Sequence, residues 1–269
     1  MNGFRYSLTI VAVLSLGAAG TGHAGTFYGA STNNELIAID TATGTGHVIG
    51  AFGTGGVYAG AFNPAGTFYT VLGTYTPTSY LATVNLTTGQ ATNVAQLAST
   101  RIDMLQFTPS GALYASDGTS LYDLNPLTGA LTTIGSFGSG INMMMDLALD
   151  SHGTLYGVAS DPASGGTSDF YSINPANGAA TLLFQSSIPC IMSLAFDSAD
   201  HLYASDFCHA NSPWYEVNLG ASSVTQLALT GLPSVHGGDI APAPTPEPAC
   251  WALLAGGLLA IFRRRQVSR

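Results

Sequence analysis

Three polar residues occupy similar places in a repeated apolar segment, and they are the side chains of this sequence best suited to chemistry. Carboxylates that meet around an axis can hold calcium or orient a nucleophilic water. The alternative role is hydrogen bonding to backbone or to water, because two carboxylates are few for a hard cation. The residues are Asp146, Ser193 and Asp239 in segments 145–148, 192–195 and 238–241, and two further repeats hold Ala59 and Met104 there.

Other catalytic patterns are missing from the sequence. A zinc site needs three or four ligands, and of the six histidines only His209 and His236 are expected to share a face. No serine stands in a Gly-x-Ser-x-Gly motif, and no glycine-rich phosphate loop precedes a helix. We therefore expect no metal site, no cofactor and no catalytic residue, with calcium at the aspartates as the one possibility left open.

The distribution of charge excludes nucleic acid as a partner. Only 8% of the 269 residues are charged and 46% are hydrophobic, so a large core is expected. Five of the six arginines flank the two terminal apolar runs, which leaves Arg101 as the one arginine of the middle, and lysine is absent. A body this acidic would repel phosphate backbones, whose binding depends on lysine and arginine.

Residues 1–24 are predicted to be a secretory signal peptide. Arg5 precedes an apolar run from Leu8 to about Ala19, and Gly22 and Ala24 place small residues at the −3 and −1 positions of a cleavage site. The alternative is an uncleaved anchor, but the run is short for a span of about 20 residues. The signal predicts export across the inner membrane by the secretion translocon.

The other end of the chain has three parts. Residues 242–248 are a proline-rich linker, residues 249–262 are apolar, and residues 263–269 form a basic tail. The apolar stretch is a short membrane helix in this interpretation, and the arginines keep the tail in the cytoplasm by the positive-inside rule. It would anchor the protein transiently.

Together these parts resemble the PEP-CTERM sorting signal, in which a Pro-Glu-Pro motif precedes a short membrane helix and a basic cluster. The resemblance implies recognition by an exosortase in a Gram-negative bacterium that makes exopolysaccharide, and delivery to the cell surface or extracellular matrix. A plain C-terminal anchor is the alternative, although it would need no Pro-Glu-Pro. The matching residues are Pro246, Glu247 and Pro248, followed by Arg263, Arg264 and Arg265.

A repeat with a Leu-Tyr or Phe-Tyr marker fills the chain between the two ends. Its period of 41 to 47 residues is that of a four-stranded propeller blade, and its alternating segments end at Asx, Pro and Gly turn residues. Helical repeats would need apolar residues at i, i+3 and i+4. Residues 25–241 are therefore predicted to be all-β, a five-bladed propeller of four-stranded antiparallel blades. The marker tyrosines are Tyr28, Tyr69, Tyr114, Tyr156 and Tyr203.

The two ends of the repeat region are predicted to close the ring. The region starts with a second strand at 26–30 and ends with a first strand at 238–241. Pairing of these strands would complete one blade and remove a free sheet edge.

Cys190 and Cys208 are predicted to form a disulfide. They are equally distant from the centre of the hairpin turn at 197–200, so they would face each other across neighbouring strands in an oxidising compartment. Two free core cysteines are the alternative.

The variable loops predict a ligand surface on one face of the propeller. Short turns lie on one face, whereas the loops 72–79, 160–168 and 206–213 and the linkers between blades lie on the other. Binding residues concentrate on variable loops. The candidates are Tyr75, Arg101, Asp117, Asp161, Asp169, Asp206, His209, Trp214 and His236.

The sequence favours a non-enzymatic binding or structural protein of the envelope or the exopolysaccharide. Tyrosine and tryptophan on the loop side could stack on sugars. The alternative is a calcium-dependent propeller hydrolase, lactonase or lyase acting at the central channel, since the repeats loosely resemble those of several propeller enzymes. A third possibility is a scaffold that binds another envelope protein.

Overall fold

The repeats fold as a ring of five blades, each a four-stranded antiparallel sheet. A computed structural model describes residues 25–53, 55–99, 101–141, 143–160 and 166–242. The predicted signal peptide, membrane helix, basic tail and Pro-Glu-Pro motif lie outside these ranges. Within them, no helix has the length and apolar character needed to cross a bilayer. The predicted five-bladed architecture is confirmed.

The described ranges contain twenty strands, and every blade is built from strands that are neighbours along the chain except at the closure. Blade 1 has the order β20-β1-β2-β3, and blades 2 to 5 contain β4 to β7, β8 to β11, β12 to β15 and β16 to β19. The strands are β1 (Thr26–Ser31), β2 (Glu35–Asp40), β3 (Gly46–Ala51), β4 (Gly60–Phe62), β5 (Phe68–Leu72), β6 (Tyr80–Val84), β7 (Ala91–Gln96), β8 (Met104–Phe107), β9 (Leu113–Ser116), β10 (Ser120–Leu124), β11 (Leu131–Ser136), β12 (Met144–Leu149), β13 (Leu155–Ser160), β14 (Ser168–Ile173), β15 (Ala180–Ser186), β16 (Ile191–Phe196), β17 (Leu202–Asp206), β18 (Pro213–Asn218), β19 (Ser223–Leu229) and β20 (Val235–Ile240).

The tight turns form because asparagine and glycine satisfy them locally. The Oδ1 atom of Asn85 accepts hydrogen bonds from the backbone N–H groups of Thr87 and Thr88 at 2.9 and 3.1 Å. Gly89 then takes a φ of 79°, a conformation that costs glycine little. This turn connects β6 to β7, the third and fourth strands of its blade.

The ring closes at blade 1 as predicted. Strand β20 pairs antiparallel with β1, with Ile240 opposite Phe27 and Asp239 opposite Tyr28. The N–H of Ala241 also donates to the carbonyl of Thr26 at 2.9 Å. The first and last strands of the repeat region thus share one sheet, so β1 is an interior strand of blade 1 rather than an open edge.

Cys190 and Cys208 form the predicted disulfide, with Cα atoms 5.7 Å apart. The bridge joins the residue before β16 to the loop after β17, so it fixes the start of an inner strand against a variable loop. Free core cysteines are excluded by this bond.

Loss of this disulfide is expected to lower the free energy of unfolding by roughly 3 kcal/mol, because the bond closes a loop of 18 residues in the unfolded chain. Cys208→Ala tests this in urea denaturation, and Cys190 is left in place because its φ of 60° would strain alanine. The control is Cys250→Ser, which leaves the bridge intact. Equal stability of Cys208→Ala and the control would contradict the prediction.

Candidate functional site

Two cavities open at opposite ends of the central axis; residues of all five blades line one, and residues of blades 1, 2, 4 and 5 with the linkers between blades line the other. The loop-face cavity, of about 200 Å³, lies among the linkers and variable loops. The turn-face cavity, of about 360 Å³, lies where the inner strands end. The loop-face cavity is bordered by Tyr58, Tyr75, Asp103, Met143, Met144, Met145, Met192, Phe207 and His236.

The predicted channel residues do not share one register. Asp146 pairs with Val158 and Ser193 with Ser205, and each of these partners lies two residues beyond a marker tyrosine. Asp239 instead pairs directly with the marker Tyr28. Grouping Asp239 with the other two was therefore wrong, because its similar segment is offset by two residues along β20. The corresponding position of blade 1 belongs to His236, which pairs with Ala30.

Asp146 and Asp239 both connect their own inner strand to that of the next blade. Asp146 accepts the N–H of Leu147 at 2.9 Å on Oδ1 and the N–H of Leu194, in blade 5, at 2.8 Å on Oδ2. Asp239 accepts the N–H of Ile240 at 2.8 Å and that of Phe62, in blade 2, at 2.9 Å. All four carboxylate oxygens thus accept hydrogen bonds from backbone N–H groups, which is the alternative to calcium binding that the sequence left open.

Ser193 has a similar structural partner within its blade. Its hydroxyl lies 2.5 Å from that of Ser205 and accepts the backbone N–H of Ser205 at 3.0 Å. Across the described ranges, no group of three or more His, Cys, Asp or Glu residues is placed to hold a metal ion.

Burial controls the ionisation of the two aspartates. Loss of hydration raises the pKa of Asp239 to about 7, although the N–H groups of Phe62 and Ile240 act in the opposite direction. Burial also raises the pKa of Asp146 well above its usual range, and the charge of Asp239 adds to this effect. A carboxyl that is half protonated near neutral pH makes the stability of the ring depend on pH.

Asp239→Asn is expected to flatten the pH dependence of stability. Between about pH 4 and about pH 7 folded Asp239 keeps a proton that the unfolded chain releases, so its contribution is present at low pH and is lost as the pH rises through 7. Asparagine imitates the protonated acid. Urea denaturation should show the original chain losing stability relative to the variant between about pH 4 and about pH 7, with no further relative loss at higher pH. Parallel curves would contradict this assignment, since Asp146 and His236 titrate in both chains.

Two residues predicted to face a ligand, Asp206 and Asp117, instead hold their own loops in place through hydrogen bonds. Asp206 is fully buried, and its carboxylate contacts the His209 ring nitrogen Nδ1 at 2.6 Å and accepts the Tyr215 hydroxyl at 3.0 Å. Presentation of Asp206 to a ligand was a wrong prediction, because the loop after β17 folds over it. Asp117 holds the corresponding loop of blade 3. Burial alone would raise its pKa, but hydrogen bonds from Thr119 and Ser120 keep it below the usual range.

Trp214 is also absent from the loop surface, contrary to prediction. Its side chain is fully buried between blades 5 and 1, stacked on Tyr203 at 5.5 Å between ring centroids and 5.3 Å from the ring of Phe27. Its position in β18 points the indole at the next blade rather than at solvent. Asp161 lies outside the described ranges, and Asp169 bonds Thr167 and Gln185.

Tyr75, Arg101 and Asp103 form a polar rim on the loop-face cavity. The Tyr75 hydroxyl donates to Asp103 Oδ2 at 2.7 Å, and the Arg101 guanidinium lies 3.7 Å from the same carboxylate and 5.8 Å from the Tyr75 ring. Burial and the Asp103 carboxylate raise the pKa of Tyr75 to about 12. Tyr75 is nevertheless 58% exposed, so its ring is available from solvent.

His236 forms part of the wall of the same cavity. It is 6% exposed, and its ring contacts Tyr58 and Phe207 with centroid distances of 4.7 and 4.4 Å. Burial lowers its pKa to about 4, so the imidazole is neutral at pH 7. Among the described residues, its ring has no hydrogen-bond partner.

Several cavity residues carried no signal in the sequence. Asp103 and Tyr58 lie on linkers between blades, and Phe207 follows β17. The sequences of these segments differ from blade to blade, so the repeat could not show which of their residues occupy equivalent positions. The run of three methionines at 143–145 was visible, but an apolar run of this kind also fits an ordinary strand.

Comparisons with known proteins show similarity in the repeat and in the fold, and they assign no function. Residues 45–142, less than half of the chain, match DUF6923, described as a repeat of unknown function. No curated protein matches this chain. The match runs from β3 of blade 1 to the linker before blade 4, so it covers the same repeat that marks the blades.

Three solved structures are similar in fold at low sequence identity. A chain of the nidogen/laminin complex is 11% identical with a TM-score of 0.57, covering 82% of this chain and 99% of that one. A chain from work on the de novo evolutionary emergence of a symmetrical protein is 21% identical with a TM-score of 0.51, covering 82% and 100%. The PQQ-bound aldose sugar dehydrogenase of Streptomyces coelicolor is 11% identical with a TM-score of 0.52, covering 80% and 81%.

Proposed function

We propose that this protein is an exported, non-catalytic binding protein of the bacterial envelope or its exopolysaccharide, and that it binds a carbohydrate at the rim of the loop-face cavity. The observation that carries the proposal is the rim itself. Tyr75 offers an aromatic ring that is 58% exposed, while Arg101 and Asp103 beside it offer a donor and an acceptor. An aromatic face next to charged hydrogen-bonding groups suits a sugar ring, which has apolar C–H faces and a polar edge.

The state of the buried carboxylates supports binding rather than catalysis. A general acid or base needs a free side chain within hydrogen-bond reach of substrate. Asp146 and Asp239 instead accept strand N–H groups with all four oxygens. Asp206 accepts the N–H of His209 in its own loop and the Tyr215 hydroxyl in β18. The side chains that would have to do acid–base chemistry are thus already used to hold the blades together.

Export is supported by the disulfide and by the sequence of the two ends. Structural disulfides persist in oxidising compartments such as the periplasm and the cell surface, and Cys190 is bonded to Cys208. The resemblance of residues 246–265 to a PEP-CTERM signal supports sorting by an exosortase after passage through the translocon. A transient membrane anchor would then place the propeller next to exopolysaccharide.

Glycan binding by the purified chain tests the proposal. We expect binding to a subset of an array of bacterial polysaccharide fragments, and Tyr75→Ala should weaken it at least about tenfold through lost stacking. Leu127→Ala is the matched control, because this side chain is 82% exposed in the turn between β10 and β11, away from the cavity. Equal binding by the two variants, or no binding by the original chain, would contradict carbohydrate recognition at the rim.

A further inference from the structure

Thioether side chains dominate one wall of the loop-face cavity. The chain has six methionines, and Met143, Met144, Met145 and Met192 border this one cavity. Met144 is buried in the core between blades 3 and 4, whereas the other three are half-buried. We call Met143, Met145 and Met192 the thioether wall. A core alone would not require three partly exposed methionines at the mouth of an axis.

Repeated β-bulges place two of these methionines side by side. The pairing of β12 with β13 shifts between Met144 and Asp146, which leaves Met145 as the extra residue. The pairing of β16 with β17 shifts between Ile191 and Ser193, which leaves Met192 as the extra residue. A bulge re-aims the side chain it displaces. Two neighbouring blades therefore present a thioether at the same height of the axis.

His236 completes a set of soft ligands. It enters the same cavity from blade 1, and no described residue hydrogen-bonds its ring. A buried polar ring usually has a partner, so an unpartnered one at a cavity wall points to a ligand. The Tyr58 and Phe207 rings hold it on two sides at 4.7 and 4.4 Å.

We propose that the loop-face cavity binds a soft monovalent metal ion, Cu(I), through Met145, Met192 and His236, with Met143 as a further thioether. Thioether and imidazole ligands select Cu(I) over hard cations. Methionine has three rotatable side-chain bonds, so the sulfur atoms can close on an ion from their positions on the wall. This inference goes beyond the proposed carbohydrate binding at the rim and does not depend on it.

Other features of the cavity agree with a cation of this kind. Tyr58 and Phe207 border the cavity beside His236, and aromatic rings attract cations to their faces. Among the described residues that line the cavity, Asp103 is the one carboxylate; its Oδ1 is buried without a hydrogen-bond partner, but a single carboxylate supplies too few oxygens for calcium or magnesium. The net charge of −9 would also draw cations toward the protein.

Competition with a chromogenic Cu(I) chelator tests the site. The full chain is used with Cys250→Ser, so that no free thiol contributes, and ascorbate under nitrogen keeps the copper reduced. We expect about one equivalent of Cu(I) per chain, with X-ray absorption showing both sulfur and nitrogen neighbours. Met145→Leu/Met192→Leu should lower the affinity about 100-fold or more, and His236→Phe should remove the nitrogen neighbour.

Met104→Leu is the matched control for the methionine variants. Met104 is fully buried in inner strand β8 and does not border the cavity, and leucine conserves its volume. Its Cu(I) affinity should equal that of the Cys250→Ser chain. Failure of that chain to compete with the chelator, or equal affinity of Met145→Leu/Met192→Leu and Met104→Leu, would overturn the proposal. Glycan binding that persists without Cu(I) binding would refute the metal site and leave the proposed function intact.

Discussion

A chain that ends at Ser234 is expected not to form the closed propeller. Strand β20 supplies the inner strand of blade 1, and its Val235 and Ile240 are buried against Phe27. Its removal would leave β1 as an open edge at the axis and would delete the hydrogen bond from the Phe62 N–H to Asp239. We expect the free energy of unfolding to fall by an amount comparable to the whole stability of a domain, about 5–15 kcal/mol.

Thermal and urea denaturation of two truncated chains measures this effect. A chain ending at Pro242 keeps β20 and should unfold in one cooperative transition, whereas the chain ending at Ser234 should show none. A synthetic peptide of residues 235–242 is expected to restore the transition when added in excess, because it can pair with β1. Cooperative unfolding of the shorter chain without the peptide would mean that four blades and three strands suffice, contrary to this account of closure.

The blades could be predicted because their signals are local and repeated. A Leu-Tyr or Phe-Tyr pair marks the second strand of every blade, and each asparagine–glycine turn satisfies itself within a few residues. Repetition also fixes which strand pairs with which. This is why the hairpin geometry was sufficient to pair Cys190 with Cys208, although they are 18 residues apart.

Register along an inner strand could not be read in the same way. A β-bulge adds one residue to a strand without leaving a pattern in the sequence. The shift between Gly29 and Ala30 in the pairing of β1 with β20 moves His236 to the position that Asp146 occupies in blade 4. The sequence similarity around Asp239 therefore suggested that Asp239 corresponds to Asp146, which is wrong. The sequence alone could not correct this alignment.

The candidate site depends on long-range packing, which is the hardest part to predict. Loop-face residues were chosen because they lie near variable loops, yet burial decides which side chains are accessible. Asp206 is covered by its own loop and Trp214 by the next blade. The rim and the thioether wall are instead assembled from the linkers and inner strands of different blades, and only the closed ring brings these segments together.

Trp214→Ala is expected to lower the free energy of unfolding by about 3–5 kcal/mol. The indole is fully buried, stacks on Tyr203 with an interplanar angle of 10°, and packs against Phe27 of blade 1. Its Nε1–H also points to the carbonyl of Thr41 in blade 1 at 3.4 Å. Alanine would leave a cavity at the junction of blades 5 and 1, the junction that β20 must also close.

Urea denaturation followed by far-ultraviolet circular dichroism measures this loss, because the substitution removes one of the chain's two tryptophans as a fluorescence probe. Trp214→Phe keeps an aromatic ring in the stack and should cost less than half as much. Leu127→Ala, on an exposed turn, should change stability by less than about 0.5 kcal/mol. If Trp214→Ala behaved like Leu127→Ala, the indole would not join the blades, and the stability of the closed ring would have to reside in β20 and its hydrogen bonds.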